Sequence, residues 1–221
     1  MDQLLDQFFN VPIMLKTFPL LVKGLWMTLS VCAIVVPVGL VAGLLVALAA
    51  TSQRRWLRVL TVPYVDLFRA VPPLVLLIFI HSGLPFAGVN LTPFQSVTLA
   101  FLLNNSAFYG EIYRAGLESI GAGQREAARS TGLTVFQTNL YVVIPQAVRN
   151  VLPDLLSNTI EVVKLTSLAS VVALPELLYS ADMARSITFN ASPLVLAACF
   201  YLVLLWPVVR LLSRLERRVA G

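Results

Sequence analysis

Apolar runs close to the length needed to cross a lipid bilayer constrain this chain more than any other feature. A bilayer core takes about 20 consecutive apolar residues as a helix. Such runs recur from about Leu20 to Ala50, Leu57 to Ser82, Pro93 to Leu117, Ala147 to Leu174 and Pro193 to Leu212. At that depth no water satisfies the backbone, so helices are the form that fits. The 221 residues are 58% hydrophobic and 12% charged, about half the charge of a typical soluble domain. The expectation is an all-α integral membrane protein, a single transmembrane domain over residues 1–221 with five transmembrane helices.

An odd number of spans puts the termini on opposite sides. Arg54, Arg55 and Arg58 follow the first span, Arg114, Arg125, Arg129 and Arg149 bracket the end of the third, and Arg210, Arg214, Arg217 and Arg218 close the chain. The other side holds an uncharged loop, Gly83 to Thr92, and a loop with Glu176, Asp182 and Arg185. The positive-inside rule makes the arginine-rich side cytoplasmic. The N-terminus is then outside and the C-terminus cytoplasmic, with Lys16 and Lys23 as minor exceptions. The formal net charge of +5 is a matter of topology on this reading, with no nucleic acid involved.

Cys32 and Cys199 lie inside apolar segments and read as small apolar residues. His81 stands alone, without the Cys or carboxylate companions of a metal site, so no metal is expected. The acidic start Met1-Asp2-Gln3-Leu4-Leu5-Asp6 is unlike a cleavable signal peptide, and residues 1–19 read as an interfacial segment. Pro37 and Pro207 read as bends for packing, whereas Pro72-Pro73, close to a charge pair, reads as a broken helix lining a path. The lack of an internal repeat weakens the case for an inverted-repeat secondary transporter.

Charges inside the spans come at i,i+3, which places each pair on one helix face: Asp66 with Arg69, Glu111 with Arg114, Glu161 with Lys164. The fourth span is the most polar. At 100° per residue, Asp154, Ser157, Asn158, Glu161 and Lys164 fall within an arc of roughly 120°. A charge at the centre of lipid costs at least about 2.5 to 3.5 kcal/mol, so this stripe must face protein or water. It is either a polar subunit interface or the wall of a translocation route. On the second reading Glu161 and Lys164 meet the ammonium and carboxylate of a zwitterion, with Thr166 and Ser167 adding hydroxyls.

Between the third and fourth spans stands a polar stretch, Gln124-Arg125-Glu126-Ala127-Ala128-Arg129-Ser130-Thr131-Gly132. Gln124 to Arg129 suits a short helix, Gly132 its left-handed stop, and Thr134 the cap of the next helix. Ala127 and Ala128 leave room for close approach to another surface. An ordinary turn is the plain alternative.

Three ordered motifs resemble one family. Tyr109-Gly110-Glu111-Ile112-Tyr113-Arg114-Ala115-Gly116, followed by Gly123 to Leu133 and by Val143-Ile144-Pro145-Gln146-Ala147, is similar to the EAA loop region of ABC importer permeases, and more narrowly to the polar amino acid uptake group. Phe68-Arg69-Ala70-Val71-Pro72-Pro73-Leu74 and Lys164-Leu165-Thr166-Ser167-Leu168-Ala169-Ser170 resemble two further segments of that group. The resemblance covers roughly residues 20–215.

It implies a permease of the bacterial cytoplasmic (inner) membrane that pairs with a second permease chain. It further implies two cytoplasmic ABC ATPase subunits and an extracytoplasmic solute-binding protein. The cytoplasmic coupling loop would be residues 118–145, with Gln124, Glu126, Ala127, Ala128 and Gly132 in the coupling element. Arg69, Lys164, Thr166 and Ser167 fall near the pathway. The chain lacks a phosphate-binding Gly-x-x-x-x-Gly-Lys-Ser/Thr loop, so ATP and Mg belong to the partner and the chain is not itself an enzyme.

Departures are Leu165 where an acid is usual and Glu161 where a small or neutral residue is usual. An acid there favours a solute with a positive group: an amino acid, an opine or an amino-acid-like osmolyte. A permease for another solute class and a secondary transporter are the alternatives within transport. A membrane enzyme would need converging catalytic groups, which the spacing does not offer.

Overall fold

The computed structural model describes the backbone of residues 2–219 and the side chains of residues 3–214. Met1 and the side chains of Arg217 and Arg218, which entered the orientation argument, lie outside the described residues. The described chain is helical: α1 (Asp2–Phe8), α2 (Val11–Ala50), α3 (Arg55–Ala70), α4 (Pro73–Ile78), α5 (Pro93–Ser119), α6 (Ala122–Ser130), α7 (Val135–Thr138), α8 (Ile144–Asn150), α9 (Leu152–Leu165), α10 (Leu177–Thr188) and α11 (Ser192–Val219). A π-helical turn, Phe79–Gly83, follows α4, another, Asn139–Val143, joins α7 to α8, and a 3-10 stretch, Thr166–Val172, extends α9.

Among the described residues three stretches are helical, long and apolar enough to cross a membrane: Gln3–Ala50, Leu152–Val172 and Ser192–Arg214. A fourth arises if α3 and the helices after it count as one broken span. That break falls where the sequence places it. Val71, held extended at φ −76° and ψ 126°, precedes Pro72, and Pro73 opens α4. A residue before proline is pushed out of the helical region. Helix α5 has 27 residues, but Gln95, Asn104, Asn105, Glu111, Arg114 and Glu118 dilute its apolar character.

Two features concern the side with few arginines. Residues 11–19, within the stretch read as interfacial, are continuous with α2. The expected loop holding Glu176, Asp182 and Arg185 is mostly helix, α10. Its apolar positions Leu177, Ala181 and Ala184 are too few to read as a span, but their spacing buries one face.

The chain folds into two compact units, each gathered from separate stretches. Unit 1 comprises residues 1–35, 73–101 and 160–211; unit 2 comprises 36–72, 102–159 and 212–221. In unit 1, Leu21, Leu177, Ala181, Ala184 and Ala197 form the core. Gly24 lies so close to α10 that a Cβ there would sit 2.5 Å from Ser180 Oγ and 2.8 Å from the Glu176 carbonyl. The turn between α10 and α11 is tied to the start of the chain: Ala191 N donates to the Gln7 carbonyl (2.9 Å), Asn190 Nδ2 to the Asp6 carbonyl (2.8 Å) and Asn10 N to Ser192 Oγ (2.8 Å).

In unit 2 the core comprises Ala47, Tyr109, Tyr113, Leu117, Val143, Ala147 and Val151 with their neighbours. Gly39, Gly43 and Ala47 repeat at four-residue spacing on α2, the small-residue stripe that lets membrane helices touch. A Cβ on Gly43 would lie 2.5 Å from Tyr109 Cβ and 2.9 Å from Gly110 N. On α5, Gly110 returns the contact against Val46, at 2.9 Å for an added Cβ. Overpacking of this kind costs typically about 1–3 kcal/mol. Gly43→Val should therefore lower the thermal unfolding midpoint of the detergent-solubilised chain by several degrees. Gly123→Ala, where a Cβ meets open space, should leave it unchanged.

Candidate functional site

The polar stretch after α5 builds a short exposed helix. Gly121, with φ −58° and ψ 150°, turns the chain into α6. The Arg125 guanidinium donates to the Leu117 carbonyl at 2.9 Å and so straps α6 to the end of α5. After Ser130, Thr131 Oγ1 donates to the Ala128 carbonyl (2.7 Å), and Gly132 stands at φ +89°. Thr134 then caps α7 in a full capping box: the Gln137 amide donates to Thr134 Oγ1 (3.3 Å) and the Thr134 amide to Gln137 Oε1 (2.9 Å). The helix, its glycine stop and the threonine cap all stand where the residue types require.

Gln124, Glu126 and Ala127 are exposed on α6. Ala128 is not: it is only 7% exposed, and α6 packs against α7 and the Asn139–Val143 turn. The two alanines therefore differ in surroundings. Ala128 seats α6 on its own chain, whereas Ala127 is exposed. Sequence spacing alone treats them as equivalent.

Above this element, α5 carries a run of alternating charges. Arg114 donates to both Glu111 oxygens, at 2.9 and 2.6 Å, and to Glu118 at 2.7 Å. Arg69 Nη1 stands 3.7 Å from Glu111 Oε1 and its guanidinium lies 5.6 Å from the centre of the Phe108 ring. The expected Asp66–Arg69 pair is replaced by this contact from α3 to α5. Spacing along one helix cannot reveal a partner on another. Nearby, Asn104 Nδ2 donates to the Phe68 carbonyl at 2.8 Å, and the Tyr64 hydroxyl and Ser106 Oγ are 2.6 Å apart.

Along α9, Asp154, Ser157, Glu161 and Lys164 are exposed, while Ile160 and Val162 are buried. Lys164 Nζ donates to Glu161 Oε1, and the two side chains remain 51% and 63% exposed. Asn158 is half-buried, with its Nδ2 3.3 Å from Asn105 Oδ1 in unit 2. Thr166 is fully buried in unit 1, with its hydroxyl donated to the Val163 carbonyl at 2.7 Å. Ser167 is half-buried and donates to the Lys164 carbonyl at 2.8 Å.

Glu176 carries more structure than its sequence context revealed. It is fully buried in unit 1. Its carboxylate accepts from Tyr179 N (2.6 Å), Leu178 N (2.9 Å), Ser170 Oγ (2.8 Å) and, at 3.3 Å, the Tyr201 hydroxyl. It caps α10, a role that Ser, Thr, Asp or Asn more often takes, so the sequence did not mark this start. Among the described residues no group of three or more His, Cys, Asp or Glu side chains is placed to hold a metal ion. His81 instead lies 3.0 Å from Ser96 Oγ.

A helical membrane chain with a short exposed helix set between spans is the architecture of a transport-system membrane component. The profile of the family described as "Binding-protein-dependent transport system inner membrane component" matches residues 36–221. The chain belongs to that family, as an ABC importer permease of the polar amino acid uptake group. It is 36% identical over 211 residues to a probable glutamine ABC transporter permease protein, GlnM, of Bacillus subtilis, covering 95% of this chain and 98% of the relative. It is 32% identical over 197 residues to a probable amino-acid ABC transporter permease protein, YckA, of the same organism, covering 89% and 87%. A crystal structure of an amino acid ABC transporter with histidines superposes with a TM-score of 0.83 at 36% identity, over 93% of this chain and 96% of that one. The MetNI methionine ABC transporter in an inward-facing form, at 22% identity and a TM-score of 0.76 over 91% and 97%, shares the fold.

Because a Cβ on Gly132 would meet nothing within 4 Å, the cost of a side chain there is backbone strain alone, about 1–2 kcal/mol. Gly132→Val should raise amide hydrogen exchange across residues 124–134 by about tenfold, while exchange in α5 stays unchanged.

Proposed function

We propose that this permease moves a polar amino acid, or a solute of similar chemistry, past α9, driven by ATPase subunits that grip α6. The observation that carries the reading is the exposed polar face of α9, which holds the Glu161–Lys164 pair on an otherwise apolar helix. Solvent or a polar partner must cover such a face. A zwitterion can exchange with the internal ion pair, its ammonium meeting Glu161 and its carboxylate meeting Lys164. Asp154, Ser157 and Asn158 extend the face along the same helix. The relatives named for glutamine and for amino acids support this class of solute.

On this proposal the chain crosses the inner membrane five times, with its N-terminus outside and its C-terminus in the cytoplasm. The arginines that follow α2, flank α6 and end α11 support that orientation. The chain pairs with a second permease chain and takes solute from an extracytoplasmic binding protein. Exposed Gln124, Glu126 and Ala127 meet the ATPase, which holds the nucleotide and its Mg; this chain holds no cofactor. Loaded binding protein and ATP then act on one two-state assembly, and each favours the other.

Two variants test the proposal in proteoliposomes of the full importer. Glu161→Gln should lower uptake efficiency by about ten- to a hundredfold, the loss expected when a charge-assisted hydrogen bond worth about 1.5–3 kcal/mol disappears. Unchanged uptake and unchanged solute-stimulated ATP hydrolysis in Glu161→Gln and in Lys164→Met would remove α9 from the route. Ala127→Arg should abolish ATP-dependent uptake while the chain still inserts. It is a cleaner probe than a change at Ala128, where added bulk also disturbs the packing of α6.

A further inference from the structure

We propose that the groove beside the α2–α3 turn in unit 2 is a binding site for an acidic phospholipid. The groove encloses about 960 Å³ and is lined by Arg54, Arg58 and Arg125 together with apolar residues that include Leu44, Leu48 and Leu140. Its charge is uncompensated. Glu118, the acid in its lining, is already bound by Arg114 at 2.7 Å. Arg125 gives one of its donors to the Leu117 carbonyl and keeps others. Among the described residues no carboxylate pairs with Arg54 or Arg58, and both are exposed.

Cations and apolar side chains thus line one groove at the end of a 40-residue apolar helix. Val41 and Leu45 on α2 and Val59 on α3 are 62%, 62% and 69% exposed, which extends the apolar surface beyond the groove. An occupant that satisfies both parts has an anionic head and an acyl tail, and basic pockets of this kind recognise acidic lipid headgroups. An ATPase surface fits less well. Gln124, Glu126 and Ala127, the α6 residues proposed to meet the ATPase, do not line the groove; of α6 only Arg125 does.

The test uses the purified importer complex, stripped of lipid in detergent and titrated with phosphatidylglycerol or phosphatidylcholine, with bound lipid counted by native mass spectrometry. The wild type should take phosphatidylglycerol in preference. The double variant R54Q/R58Q should bind it about thirtyfold more weakly, the loss expected for two cations at an anionic surface, with phosphatidylcholine unaffected. R54K/R58K should stay within about threefold of wild type. If the double variant does not fold, Leu140→Trp, which fills the groove from its apolar side, should cause a comparable loss. Unchanged phosphatidylglycerol binding in both R54Q/R58Q and Leu140→Trp overturns the proposal. So does equal weakening for both lipids, displacement by inorganic phosphate at equal concentration, or loss of the ATPase subunits with lipid binding intact.

Discussion

The close approach of α2 to α5 in unit 2 is the contact on which that unit depends. Without an oil–water difference to drive helices together in lipid, association rests on packing and on hydrogen bonds. Gly39, Gly43 and Ala47 supply a surface without bulk, and Tyr109 fills it, fully buried. The same tyrosine places its hydroxyl 2.8 Å from Thr159 Oγ1 on α9. One residue therefore registers three helices. The same α5 bears Glu111 and Arg114 and leads directly into the strap between Arg125 and the Leu117 carbonyl.

Polar groups in the chain divide by partner. Glu176, Asn104, Ser106 and Thr166 lie inside a unit and have hydrogen bonds there. Such groups build the scaffold, since a buried polar atom left without a partner costs about 1–3 kcal/mol. Asp154, Ser157, Glu161 and Lys164 are exposed on a helix whose other faces are apolar. Arg54 and Arg58 are exposed at the end of a long apolar helix. The scaffold does not account for that second set, on which the proposed solute route and lipid site rest.

What was legible in the sequence was whatever local chemistry decides. Gly132 and Thr134 stop and restart helices by backbone rules that need no tertiary context, and the arc of polar residues on α9 follows from helical periodicity. Pro72 and Pro73 break the chain for the same local reason. What stayed hidden depends on neighbours distant in sequence. Arg69 pairs with Glu111 and not with Asp66 because α3 meets α5. Ala128 and Ala127 are the same residue type, yet only packing against α7 and the following turn buries one of them. Helix α10 is short, and its charges at Asp182 and Arg185 give it the look of a loop until its alanine face is seen against α2. The stripe Gly39, Gly43, Ala47 was readable in principle, since four-residue spacing of small residues is a local pattern.

The buried carboxylate of Glu176 bears on how the chain folds. Its acceptors are filled by the first turn of α10, by Ser170 just before it and by Tyr201 on α11. Without Ser170 and Tyr201, α10 would carry an acid with two of its four donors missing. The segment from Thr166 to Tyr201 is therefore expected to order as one cooperative block, because the four donors of that acid come together only when α10, Ser170 and Tyr201 are all in place.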